Sequence, residues 1–410
     1  MKILHTSDWH LNDRLGHQPR QDDIKARLVE IAEYLEEHQV DVMIVAGDLL
    51  STYNRIEEIK TAISQVDEIF KPFLLNGGTI ITISGNHDRE NYFRLLRFAG
   101  DLTAPIILSQ SGARPNGRMY FVSDPAYLLL EDKTGQQVQF VLMPYPTPTR
   151  YLKNEKTRFG SIDEKNRLLH QAMMATINKI QTKHVKPHLP SVLVGHAHIR
   201  GNEIHNTYKI TETEDVIFDI NDIPTNWAYA AFGHIHKPQA LAGTTHIRYS
   251  GSIDRMDKGE KDEDKSVVLV EIGASGRIGE PICLPLNATP IYNIIITDPE
   301  QVIPQLKDNY SEAERALVSY QLTYQPGKHN RDAICQELER IFPRWYKREI
   351  IAEGINKDSN LSLAYDNNLH QSNNPSEVVR NYFNRQLEDD RDRQAVMALL
   401  EEFLATNNLD

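Results

Sequence analysis

Thr79-Ile80-Ile81-Thr82-Ile83-Ser84-Gly85-Asn86-His87-Asp88 is a β-branched apolar run that stops at four residues suited to polar work. The run reads as a buried strand. In open α/β sheets, ligands bind beyond the carboxyl ends of the strands. Asn86 and His87 offer a neutral oxygen and an imidazole, both usable by a divalent cation, and Gly85 lets the backbone turn closely beneath them. A polar turn after a strand would look the same at this one place. Four further segments of the same design make it specific.

Working outward, Lys2 to Ser7 is an apolar strand that ends at Asp8-Trp9-His10, and Val42 to Ala46 ends at Gly47-Asp48. Gln21 to Glu37 and Ile56 to Phe73 carry apolar residues at helical spacing, with a further helix around Tyr92 to Phe98. Strand, helix, strand, helix, strand predicts a mainly parallel sheet of βαβ units. The pattern then becomes richer in strands, at 119–122 and 138–142, before a long helix over Ile162 to Lys183. Ser191 to Val194 is a strand that ends at Gly195-His196-Ala197-His198, and Ala228 to Phe232 one that ends at Gly233-His234-Ile235-His236. Tyr249 to Ile253 and Val267 to Glu271 read as strands closing the sheet, with Asp257 to Lys265 as a solvated turn.

From about Ala288 a smaller βαβαβ unit follows, without a metal-type cluster. An Asn-rich stretch, Ser359 to Asn374, reads as a linker, and Pro375 to Leu404 as a charged helical segment with an apolar face. The expected division is 1–285, 286–355, a linker over 356–374 and a helical segment over 375–410.

Length and composition bound the class. The chain has 410 residues, 40% of them hydrophobic, enough for two or three domains with real cores. Two cysteines, Cys283 and Cys335, cannot build a disulfide framework or a metal site, which predicts a reducing, cytoplasmic setting. There is no signal-peptide pattern and no apolar stretch of the roughly 20 residues needed to span a bilayer. A net charge of −12 argues against bulk attraction to nucleic acid, although bound metals or a local basic strip reverse the sign at one site.

Asp8/His10, Asp48, Asn86/His87, His196 and His234/His236 thus close five strands. All the donors are Asp, Asn or His, a set suited to Mn, Fe or Zn and unlike a closed structural zinc site. Two ions about 3.5–4 Å apart would clamp a phosphate ester and acidify a water between them. Asp48, alone at its strand end, is the natural bridging carboxylate. His198 alternates with His196 on an extended chain, so either could be the ligand.

These motifs, in this order, resemble the calcineurin-like metallophosphoesterase superfamily. More narrowly, His5-Thr6-Ser7-Asp8-Trp9-His10-Leu11 and Ala231-Phe232-Gly233-His234-Ile235-His236 resemble the SbcD-type family of DNA repair nucleases. The resemblance implies an α/β fold: a four-layer αββα sandwich with a small capping domain and a C-terminal helical tail. It implies two Mn²⁺ per chain (Fe, Zn or Mg being possible), one held by Asp8, His10, Asp48 and His236, the other by Asp48, Asn86, His196 and His234. His87 would steady the phosphate and protonate the leaving oxygen, and Asp88 would orient His87. The family often has an aromatic residue where Leu50-Ser51-Thr52 stands, and many members have Gly at the place of Asn12.

The activity so implied is 3′→5′ exonuclease on duplex ends and endonuclease on single strands or hairpins. The expected setting is double-strand break repair, with the chain on the nucleoid when bound to DNA. The implied partners are a coiled-coil ATPase of the SbcC type, docked on the C-terminal helices, and a second copy of the chain. Arg14, Arg20, Arg89, Arg94 and Arg97, with Arg150, Lys153, Lys156 and Arg158 in the middle loop, could line a DNA groove; Tyr151 and Phe159 could stack on bases. The rival expectation from the same centre is a phosphodiesterase or phosphatase acting on small molecules or phosphoproteins.

Overall fold

The computed structural model describes residues 1–51, 55–101, 117–152, 159–200, 215–224, 226–241, 243–310, 312–353 and 396–401. Its centre is a pair of six-stranded sheets. In the first, strands Lys2–Thr6, Val42–Val45, Thr79–Ile83 and Met119–Val122 run parallel, and Lys265–Gly273 pairs antiparallel with Lys2–Thr6. Gly276–Leu286 adds the edge by an antiparallel hairpin. The second sheet is parallel through Gln137–Met143, Ser191–His196, Tyr229–Gly233 and Ile247–Tyr249, with antiparallel edges at Ala126–Glu131 and Gln239–Ala240.

Side-chain alternation along each strand sorts residues between layers. Ile3, Val42, Ile44, Ile81 and Ile83 meet Leu128, Phe140, Leu142, Val192 and Ala231 in the core between the sheets. Leu4, Met43, Val45 and Ile80 point the other way, under helices Gln21–Glu37 and Ile56–Leu75. Helix Ile162–His184 covers the outer face of the second sheet through Leu169, Met173 and Ile177. The order is therefore helices, sheet, sheet, helix, as the sequence led us to expect. Ala126–Glu131, Gln239–Ala240 and Gly276–Leu286 escaped the sequence reading, all at sheet edges where periodicity is weak. The Tyr249 strand ends at that residue, and Ser250 to Ile253 continue as loop.

His5 ties the two sheets together. Tyr229 Oη lies 2.9 Å from its Nδ1, and Nε2 lies 3.2 Å from the Phe232 carbonyl, an acceptor to which it donates. Burial, with the Arg248 charge adding to it, pulls the His5 pKa down to about 3 against the support of the Phe232 carbonyl. The unfolded chain takes up a proton at this position near pH 6.5, whereas the folded chain resists until about pH 3. Stability is therefore lost as pH falls below 6.5, by about 2 kcal/mol from this residue at pH 5. His5→Gln should flatten that part of the pH dependence of the urea midpoint between pH 7 and 5; an unchanged slope would contradict it.

A three-stranded sheet, Ile291–Ile296, Leu317–Tyr324 and Trp345–Ala352, packs helices Pro299–Asn309 and Arg331–Ile341 on one face around Ile294, Val318, Leu338 and Phe342. This is the βαβαβ unit read from the sequence. It is anchored beside the N-terminal loop: Arg344 pairs with Asp23 at 2.6 Å, and Gln18 Nε2 donates to the Trp345 carbonyl at 2.9 Å. Residues 1–351 form one compact unit and 352–410 another. The expected linker at 356–374 lies outside the described residues, as does the expected helical segment at 375–410 apart from residues 396–401, which are helical. Among the described residues, no helix is long and apolar enough to cross a membrane.

Candidate metal centre

The parallel strands of both sheets end at one place. Beyond the strand ends the loops lie side by side, with Asp8 N donating to Gly47 O and His10 N to Asp48 O, each at 3.0 Å. Asp8, His10 and Asp48 have φ of 51°, 44° and 51°, and His234 has φ 99°. Non-glycine residues adopt this left-handed region at a cost and cluster at functional sites. Asn12 also lies there, at φ 63°, and Asn tolerates αL better than most side chains. Gly85 has no such strain, but a Cβ there would collide with the Asp48 carboxylate.

The side chains named from the sequence converge. Asn86 Oδ1 lies 2.9 Å from His196 Nε2 and 3.0 Å from His234 Nδ1. Asp48 Oδ2 lies 3.3 Å from His196 Nε2 and 3.9 Å from His10 Nε2, so it stands between the two halves of the cluster. On the far side, His10 Nε2 and His236 Nε2 approach to 3.2 Å. The donor atoms of Asp8, His10 and His236 lie within 4.8 Å of one another, as do those of Asp8, Asp48 and His196. Buried nitrogen and oxygen donors aimed at shared points fit divalent cations. His196, not His198, lies against Asn86 and Asp48; the donor atoms of His198, Asp215 and His234 form a group of their own within 4.8 Å.

Electrostatics follow from the crowding. Burial alone would depress His196, yet the charge and hydrogen bond of Asp48, then Asp8 and the Ala46 carbonyl, raise it to about 9. Burial drives His10 well below its ordinary range against the pull of Asp48. Asp48 is held well below the usual carboxylate range, because His196 and His87 outweigh its burial. Burial and then the Asp48 charge push Asp88 up to about 7.

His87 sits at the rim, half-buried, its ring centroid 4.9 Å from that of His10, and its backbone N–H donates to Asp48 Oδ1 at 2.8 Å. Asp88, which the resemblance assigns to orient His87, is buried beside it in the same loop. Its carboxylate accepts the backbone N–H groups of Gly85 (2.8 Å), Leu50 (2.9 Å) and Leu49 (3.3 Å), clamping two strand-end loops together.

The basic residues divide. Arg14 is exposed beside Glu58, and Arg89 is exposed against the Tyr92 ring. Arg94 is engaged by Glu90 at 2.6 Å and Asp124 at 3.8 Å, and Arg97 by Asp124 at 3.3 Å. Two expectations are corrected. Arg20 is fully buried between Asp23 and Asp254, and Arg150 is buried with its guanidinium donating to the Tyr145 carbonyl at 2.7 Å; neither belongs to an exposed basic strip. Tyr151 and Phe159 are partly buried, packed against the outer core of the second sheet. Lys153, Lys156 and Arg158 lie outside the described residues.

Sequence reasoning missed the groups behind the cluster. The ring of His196 is fixed by the Ala46 carbonyl at 2.7 Å from Nδ1, and that of His236 by Glu260 Oε1 at 2.8 Å. Glu260 is in turn paired with Lys265 Nζ at 2.6 Å, and Lys265 with Glu263 at 2.8 Å. Asp257 to Lys265, read as a solvated turn, thus contains buried Asp257, Glu260, Glu263 and Lys265. One signal was available: extending the period of two from Val267 back to Lys265 puts the lysine on the helix-facing side of its strand.

A family model described as calcineurin-like phosphoesterase matches residues 1–238, more than half of the chain. The chain is 26% identical over 343 residues to the D subunit of nuclease SbcCD from Staphylococcus epidermidis, covering 78% of this chain and 80% of that protein. It is 26% identical over 360 residues to the same subunit of the Escherichia coli K12 nuclease, covering 84% and 83%. The corresponding protein of Staphylococcus saprophyticus is 24% identical over 398 residues, covering 94% and 93%. With the αββα layers, the five strand-end clusters and this match in hand, the chain is a member of the calcineurin-like phosphoesterase family.

Proposed function

We propose that this chain is a manganese-dependent DNA nuclease that works in double-strand break repair with an SbcC-type ATPase. The carrying observation is the meeting of Asp8, His10, Asp48, Asn86, His196, His234 and His236 at one strand edge, in a chain similar along most of its length to proteins named as nuclease subunits. In this reading Asp8, His10, Asp48 and His236 hold one divalent ion, and Asp48, Asn86, His196 and His234 the other. Bound there, the ions would neutralise the phosphodiester and activate water. His87, at the rim, steadies the phosphate and delivers a proton to the leaving oxygen. Its backbone bond to Asp48 keeps that ring beside the cluster. Arg14 and Arg89, both exposed, would meet the DNA backbone in this reading.

The finer assignments rest on the same kinship: 3′→5′ exonuclease on duplex ends, endonuclease on single strands and hairpins, capping by the three-stranded unit, ATPase docking on the C-terminal segment, and a homodimer. The test is cleavage of end-labelled duplex and hairpin DNA with Mn²⁺, with and without EDTA, beside bis-nitrophenyl phosphate. DNA shortening that EDTA stops is expected. His87→Ala should lower it by about 10²-fold or more while Mn²⁺ still binds. Hydrolysis of the small ester alone, even with the ATPase added, would move the chain to small-molecule phosphodiesterases.

A further inference from the structure

Behind His234 lies a carboxylate that no strand-end motif contains. Asp215 is buried, and its two oxygens do different work. Oδ1 accepts from Tyr145 Oη at 2.8 Å and from Val216 N at 2.8 Å, which holds the loop. Oδ2 lies 2.7 Å from His234 Nε2 and 3.4 Å from His198 Nδ1. The opposite nitrogen of His234, Nδ1, faces Asn86.

We propose that Asp215 is the positioning residue that fixes the tautomer of His234. This rests on the reading of His234 as a metal ligand. An ionised carboxylate can only accept, so the nitrogen 2.7 Å from Oδ2 must carry the proton. A neutral ring with its proton on Nε2 presents a lone pair at Nδ1, on the side of Asn86. Partners of this kind orient a ligand ring and raise its basicity. Of the two partners the carboxyl is ordinarily the stronger acid, and Tyr145 Oη and Val216 N both donate to it. His198 is a second ring on the same oxygen, and the donor atoms of His198, Asp215 and His234 form a third group within 4.8 Å of one another.

The substitution that separates the two tasks is Asp215→Asn. Its amide oxygen can keep the bonds from Tyr145 and Val216. Its amide nitrogen would then face His234 Nε2 as a donor, forcing the ring proton onto Nδ1 and removing the lone pair. Loss of the correct tautomer with geometry preserved is known to be severe in catalytic histidines.

The experiment titrates metal-stripped protein with Mn²⁺, following the signal of the free ion by electron paramagnetic resonance, for the wild type, Asp215→Asn and Asp215→Glu. Urea midpoints in EDTA check that each variant folds. The wild type should bind two Mn²⁺. In Asp215→Asn one of the two should weaken by about 10- to 100-fold, and Asp215→Glu, which keeps an acceptor, should be milder. Equal binding by the wild type and Asp215→Asn overturns the inference alone. Glu weaker than Asn also overturns it, because a purely structural role favours the isosteric residue. A third Mn²⁺ bound by the wild type and lost in Asp215→Asn would make Asp215 a ligand instead. No Mn²⁺ on the wild type would overturn the metal-centre reading, and this inference with it.

Discussion

Asp48→Asn is expected to abolish phosphoester cleavage while leaving the protein folded. Asp48 stands between the two halves of the cluster, 3.3 Å from His196 and 3.9 Å from His10. Asparagine keeps an oxygen for the His87 N–H and tolerates the left-handed backbone at φ 51°. It removes the negative charge that both halves share. Losing several kcal/mol of charge stabilisation on the reacting phosphate corresponds to about 10³-fold or more in rate. Hydrolysis of a nitrophenyl phosphodiester, read beside a Mn²⁺ titration and a circular dichroism spectrum, checks it. Rates or metal stoichiometry like the wild type would remove Asp48 from the bridging position.

Lys265→Met is expected to carry the largest stability effect, about 3–5 kcal/mol, the usual cost of breaking a buried pair by removing one partner. Lys265 Nζ holds Glu260 at 2.6 Å and Glu263 at 2.8 Å, and donates to the His236 carbonyl at 2.9 Å. Both carboxylates are buried. Burial alone would keep Glu260 neutral; Lys265 and then His236 hold it ionised, well below its ordinary range. Without the lysine, Glu260 would take up a proton or open the site, loosening the His236 ring it fixes. Glu260→Gln added to Lys265→Met should recover part of the loss by deleting one stranded charge. Urea midpoints in EDTA, so that metal binding adds nothing, give the comparison. A change under about 1 kcal/mol would mean that the charges are hydrated.

These two substitutions divide the site by how it can be read. Asp48 is legible because it closes an apolar run, and a strand must deliver its next residue to the sheet edge whatever surrounds it. The same holds for Asp8, His10, Asn86, His196, His234 and His236. Glu260 and Asp215 carry no such mark, since charged residues in a polar stretch look alike whether solvated or paired; Lys265 is marked only by the period of its strand.

The sequence by itself determined the parallel βαβ start of the fold, the sheet edge at which polar groups gather, and the donor clusters with His196 and His198 both open; the four layers came from the family resemblance. Periodicity and strand ends are local properties, written in neighbouring residues. Only the tertiary structure set His196 beside Asn86 and His198 beside Asp215, buried Arg20 and Arg150, turned Asp88 to the backbone of Gly85 and Leu50, and set Asp215 and Glu260 behind their histidines. Each of those depends on which residues, far apart in the chain, meet across packed sheets, and burial converts a charge from a solvated group into one that must find a partner.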